Sequence, residues 1–142
     1  MGMDPTIRRA TRADASAVSE LLSQLGYGVP PEEVASRLDA PFTTTLVAEF
    51  SGFLVGVVVV SVRPLMHLLH PRASIDTMVV DQETRSLGIG HRLVEAAIEI
   101  SKVAGARVIE VHSNLRREGA DRFFEREGFE TTSRYFVRSL SD

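Results

Sequence analysis

The chain contains no cysteine and no tryptophan, and aromatic residues occupy only 6% of its 142 positions. Without cysteine there is no disulfide, no thiolate metal site and no sulfur nucleophile, as expected for a reducing compartment. Long apolar runs are also missing. The longest, Phe53 to Val60, has eight residues, against the ~18 that a membrane-spanning helix requires. Neither sign of charge dominates: sixteen basic and nineteen acidic side chains give −3, so no basic footprint for nucleic acid is present. No basic-then-apolar leader opens the sequence, and the expectation is a cytoplasmic protein without membrane association. Met1-Gly2 followed by Thr6 satisfies the minimal myristoylation pattern, but Asp4 and Pro5 between them argue against acylation.

What is present is ordinary globular composition, 44% hydrophobic and 25% charged. The length suits one domain, and residues 1–142 are read as such. A strand is expected over residues 6–9. Thr11 then opens a helix with Asp14 as its capping-box partner, Val18, Leu21, Leu22 and Leu25 form its apolar face, and Gly26 stops it. Pro30 and Pro31 start a short second helix, with Glu32 and Glu33 in its first turn. Residues 43–50 and 53–62 are β-rich and meet at Ser51-Gly52, a hairpin signal. A further strand is expected over 73–80 and a helix from Gly90 to Gly105, with Leu93, Ala97, Ile100 and Ala104 as its stripe. Then come a strand over 107–112, a helix over 119–127 stopped by Gly128, and a final strand over 130–137. This order implies an α/β (α+β in some schemes) fold: a mixed, mostly antiparallel sheet with a central right-handed βαβ unit flanked by helices.

The most informative stretch runs from Val79 to Gly90, where a strand feeds a turn whose glycines open directly into the longest helix. A helix N-terminus offers unbonded N–H groups and a partial positive charge, and so holds phosphate oxygens well. Glycine lets a diphosphate approach the backbone and tolerates the dihedrals of an anion nest, and Arg85 adds fixed positive charge. No Gly-Lys-Ser/Thr closes the turn, which excludes a nucleotide P-loop. A dinucleotide fold would require a third glycine where Leu93 stands, although Glu110 lies at the distance of that fold's acidic residue.

Arg85-x-x-Gly88-x-Gly90 resembles the Arg/Gln-x-x-Gly-x-Gly/Ala signature of the GNAT superfamily of acyl-CoA-dependent N-acyltransferases. Val80 matches the hydrophobic strand end before that signature. Asn114, Ala120, Phe123, Glu125, Gly128 and Phe129 are similar to the family's downstream pattern. Within the superfamily, residues 67–71 and 111–140 look similar to aminoalkylphosphonate N-acetyltransferases.

The resemblance implies the GNAT fold and acetyl-CoA as co-substrate, with no tightly bound cofactor. It assigns the diphosphate to the backbone amides of Arg85, Ser86, Leu87, Gly88, Ile89, Gly90 and His91. It lays the pantetheine arm beside Met78, Val79 and Val80 as an added strand, with the Val80 amide holding the developing oxyanion. Asn114 would bind the cofactor arm, or else cap the helix that follows. The implied reaction is direct attack of an amine on the thioester, which requires a base for the ammonium and an acid for the departing thiolate.

Strict alternation would place Ser74, Asp76, Met78 and Val80 on one face of their strand, making Asp76 a candidate base. Glu110 and His112 share a face of the next strand and are further candidates. Phe124 departs from the family, which usually has tyrosine there as the proton donor to sulfur. Its ring keeps the packing without the acid, so either the thiolate leaves without a dedicated donor or Tyr135 or Ser113 substitutes. His67 and His70 are two metal-capable side chains without a third, so no metal site is assigned. Arg116, Arg117, Arg122 and Arg126 read as a solvated face or as an attraction for an anionic acceptor or the CoA 3′-phosphate.

The resulting expectation is an N-acetyltransferase acting on a primary amine of a small molecule, with homodimerisation a family-level expectation. The alternatives are a protein or peptide N-acetyltransferase and a non-catalytic acyl-CoA-binding sensor.

Overall fold

The computed structural model describes residues 4–112, 119–132 and 135–141, apart from the side chains of residues 85 and 86. Two compact units are present, Met1–His112 and Ser113–Asp142.

The first unit is built on five strands in the order β1-β2-β3-β4-β5. These are β1 (Thr6–Arg9), β2 (Thr43–Phe50), β3 (Phe53–Arg63), β4 (Arg72–Val80) and β5 (Ile109–Val111). All pairings are antiparallel except β4 with β5. The expected mixed sheet with a central βαβ unit is therefore formed. Ser51 and Gly52 take φ of 53° and 82°, the primed-turn geometry that suits strand twist, and Phe50 pairs with Phe53 across the hairpin.

β3 is the middle strand, and its Val57, Val58 and Val60 are almost wholly buried. Consecutive burial means that both faces of the sheet are covered. On one face Val47, Val57 and Val79 pack with Ala15, Val18 and Leu21 of α1 (Ala15–Ser23) and Val34 of α2 (Pro31–Arg37). On the other face α3 (Ile89–Val103) lays down Ile89, Leu93, Val94 and Ala97, each fully buried. Its stripe continues through Ser101 rather than Ile100. The Ser101 hydroxyl donates to the Ala97 carbonyl at 2.7 Å, which lets a polar side chain sit in the core.

Thr11 and Asp14 act as the sequence suggests, opening a short 3-10 turn (Arg12–Asp14) that runs into α1. The Thr11 N–H donates to Asp14 Oδ2 at 2.7 Å. The same carboxylate receives a two-pronged pair from Arg8 of β1, at 2.8 and 3.0 Å. These bonds, the Arg8 guanidinium foremost, outweigh the burial of Asp14 and hold its carboxyl at about 2.

In the second unit α4 (Ala120–Arg126) forms as expected, followed by Gly128 at a φ of 93°. The expected strand over 130–137 is not formed among the described residues, which are irregular there. Tyr135, Phe136 and Val137 are exposed. β propensity expresses fit to a pleated, half-buried surface, and without such a surface it does not produce a strand. β5 is likewise shorter than the 107–112 expected. No helix among the described residues is long and apolar enough to cross a membrane.

Candidate active site

The turn between β4 and α3 is fixed at both ends. The Asp81 N–H donates to the Val55 carbonyl at 2.8 Å, pinning the exit of β4 to β3. A 3-10 turn (Gln82–Leu87) follows, and the Thr84 N–H and hydroxyl both donate to the Asp81 carbonyl, at 3.0 and 3.2 Å. Gly88 then takes φ 76° and ψ 14°, left-handed geometry that disfavours a side chain. A Cβ built on Gly88 would meet nothing within 4 Å, so an incoming group can approach the backbone there. α3 begins immediately, with no side-chain cap, and the Arg92 N–H is bonded to the Gly88 carbonyl at 3.2 Å. A left-handed glycine opening an uncapped helix start is the chemistry of an anion cradle.

Of the residues expected around the diphosphate, Arg85, Ser86 and Leu87 lie in this turn and Ile89, Gly90 and His91 form the first turn of α3. Ile89 is fully buried and anchors the helix start, whereas Leu87 is exposed. The His91 ring is 2.7 Å from Glu95, one helical turn on.

Among the described residues, β4 and β5 pair over Ala73–Ile75 against Ile109–Val111. The rest of β4, including Met78, Val79 and Val80, continues past that short ladder with β3 along its other side.

The expected alternation along β4 is broken. Val59 pairs with Thr77 and Val60 with Ile75, so Asp76 is an extra residue, a β-bulge. Its insertion reverses the parity of the strand. Ser74 lies opposite Ser61 whereas Met78 and Val80 lie opposite Val58 and Gly56, on the other face. Ser74 therefore does not share a face with Met78 and Val80, and Asp76 is exposed at the kink. Bulges re-aim side chains next to active sites, and this one presents a carboxylate in the middle of β4.

Glu110 accepts from Arg72 Nη1 at 3.2 Å, a partly exposed ion pair between β5 and β4. His112 is exposed just after β5. In the second unit Phe124 makes edge-to-face contacts with Phe123 at 5.1 Å and with Phe129 at 5.5 Å. Asn114, Ser113, Arg116 and Arg117 lie outside the described residues. Arg122 and Arg126 are exposed on α4, and His67 and His70 are exposed in the β3–β4 connection. No group of three or more metal-capable side chains occurs among the described residues.

Two contributions to the site were not visible in the sequence. Gln24, at the end of α1, bonds to both Asp81 and Gln82, and Gly56 of β3 makes room for α3. Both act across more than thirty residues of chain, and no local signal announces either.

The acetyltransferase (GNAT) family matches residues 15–129. The aminoalkylphosphonate N-acetyltransferase of Salmonella typhimurium is 30% identical over 141 residues, covering 94% of this chain and 90% of its own. Among solved structures, a transcriptional regulator from Bacillus halodurans C-125 has a TM-score of 0.86 at 26% identity, covering 96% of this chain and 99% of that one. An aminoglycoside N-acetyltransferase in complex with CoA has a TM-score of 0.85 and covers 99% of this chain and 98% of its own; at 20% identity the likeness is one of fold. With the family's span covering most of the chain and containing the whole β4–turn–α3 unit, this protein belongs to the acetyltransferase (GNAT) family and is an N-acetyltransferase.

Proposed function

We propose that residues 1–142 work as one catalytic domain that transfers the acetyl group of acetyl-CoA to a primary amine of a small molecule by direct attack. The observation that carries this reading is the left-handed Gly88 opening an uncapped α3. The cradle fits a diphosphate held by the backbone amides of residues 85–91, with the pantetheine arm lying along Met78, Val79 and Val80 of β4. The family resemblance also assigns Asn114 and Phe124 to the cofactor.

Acetyl-CoA supplies the activated carbonyl. Asp76 takes a proton from the ammonium form of the acceptor, directly or through one water. Glu110, engaged by Arg72, is the alternative base on the neighbouring strand. The free amine attacks the thioester carbon, and the Val80 amide holds the oxyanion as the tetrahedral intermediate forms. The nitrogen of the intermediate gives its second proton to water, and the carbonyl re-forms as the C–S bond breaks. The thiolate leaves without a phenolic donor and is protonated by solvent, since position 124 carries phenylalanine.

The 30% identical relative is named for aminoalkylphosphonates, which supports a small amine bearing an anionic group as the first acceptor class to test. The test is thiol release from acetyl-CoA with a panel of aminoalkylphosphonates, aminoglycosides, amino acids and peptides, with acetylated product identified by mass. Product from small amines and none from peptides is the expected result. Phe124 favours one second reading, an acyl-CoA-binding sensor; micromolar CoA binding without turnover of any amine would establish it.

A further inference from the structure

Gln24 is the last residue of the α1 region and lies 57 positions before Asp81, yet the two are joined. Gln24 Nε2 donates to Asp81 Oδ1 at 2.8 Å, and the Gln82 N–H donates to Gln24 Oε1 at 3.2 Å. One side-chain amide thus uses both its donor and its acceptor on consecutive residues at the entry to the cradle. Its own base is firm, because Val18 and Leu21 of α1 are buried in the core.

Asp81 stands at the N-cap position of the 3-10 turn, where a carboxylate ordinarily folds back onto the turn's amides. It makes no such bond. Instead its carboxylate is drawn out to Gln24, while its main chain serves Val55 and Thr84. Asp81 also lines a groove of about 410 Å³ together with Glu20 and Glu83. Gln24 lines the same groove, and its amide is the neutral donor that meets the Asp81 carboxylate there.

We infer that Gln24 is a positioning residue for acetyl-CoA: it holds the Asp81 carboxylate away from the cradle and fixes the Gln82 amide, and so sets the path of the turn that receives the diphosphate. The inference rests on the reading that the cradle binds that diphosphate. Gln24 bonds Asp81 and Gln82, at the start of the turn and not at the proposed base or oxyanion donor, so its effect falls on acetyl-CoA binding rather than on the chemical step.

The experiment measures CoA affinity by calorimetry, and KM for acetyl-CoA, KM for the amine and kcat by thiol release. In Gln24→Ala, Kd for CoA and KM for acetyl-CoA rise about fivefold or more, with kcat and the amine KM within about twofold of the parent. Gln24→Glu is worse, because it sets a carboxylate against Asp81. Combining Gln24→Glu with Asp81→Asn restores affinity, since the donor and acceptor are exchanged and the Gln82 N–H keeps its partner. CoA affinity unchanged in Gln24→Ala would overturn the inference, as would a paired variant no better than Gln24→Glu alone. A parallel fall in kcat would also overturn it. Gly88→Glu separates this inference from the reading beneath it. Loss of CoA binding there with Gln24→Ala unaffected rejects the role of Gln24 alone, whereas retained binding in Gly88→Glu rejects the cradle and the inference together.

Discussion

Gly56 of β3 and Leu93 of α3 meet so closely that a Cβ on the glycine would lie 2.9 Å from Leu93 Cδ1. The same atom would lie 3.1 Å from Ile89 Cγ2 and 3.3 Å from the Val79 carbonyl oxygen. In dinucleotide-binding folds the close helix–strand contact uses a glycine on the helix. Here the strand supplies the glycine and the helix supplies the leucine. Gly56→Val forces α3 off the sheet and destabilises the protein by about 1–3 kcal/mol. Thermal unfolding checks this, and the folded fraction binds CoA more weakly because Ile89 at the cradle moves with the helix. An unchanged melting temperature would show that α3 can shift without cost.

Gly88 is required for its backbone and for its openness, and two substitutions separate these. Gly88→Ala costs about 1 kcal/mol through its left-handed φ of 76°, while leaving CoA binding measurable. Gly88→Glu adds negative charge where the diphosphate is proposed to lie and abolishes CoA binding in calorimetry. Unaltered affinity in a folded Gly88→Glu variant would count against the cradle.

The Arg8–Asp14 pair ties β1 to the start of α1 and sets an acid limit on stability. Folding lowers the Asp14 carboxyl to about 2, so its contribution is fully present above the unfolded carboxylate range. It is lost as pH falls from about 4 toward 2. Asp14→Asn therefore destabilises the protein by about 2 kcal/mol at neutral pH and flattens the acid limb of its stability curve. Parallel acid limbs in the two proteins would show that the pair contributes nothing.

Phe124→Tyr restores the usual phenol of the family at a position whose ring already packs edge-to-face with Phe123 and Phe129. The substitution is tolerated, and kcat stays level or rises. A fall of about tenfold or more in kcat, with CoA affinity retained, would show that the ring position is used differently.

Asp76 and Glu110 are separable by their effects on kcat. Asp76→Asn removes the proposed base and lowers kcat/KM by about 100-fold, mainly through kcat. Glu110→Gln leaves kcat within about twofold of the parent, since its carboxylate is already engaged by Arg72. The reverse pattern would exchange their roles.

Much of the fold was legible because the signals are short-range. Thr11 and Asp14 are three residues apart, Ser51-Gly52 is a dipeptide, and the buried stripe of α3 repeats within one helix. The signature turn was legible for the same reason, since strand, glycines and helix are consecutive. Where the reading failed, the cause was a partner distant in the chain. The Asp76 bulge exists only in register against Val59 and Val60 of β3, so alternation counted along β4 alone put Ser74 on the wrong face. The residues 130–132 and 135–137 have strand composition but no ladder, and composition cannot supply one.

The sequence by itself determined the element order from β1 to α4, the strand–glycine–helix turn from β4 to α3 and the family, because each rests on residues within a few positions of one another. Only the tertiary structure decided that Gln24 holds Asp81, that Arg72 engages Glu110 and that Gly56 admits Leu93. Hydrogen-bond reach and van der Waals contact depend on separation in space, and a linear pattern carries no record of which distant side chains the packed sheet brings within about 3–4 Å.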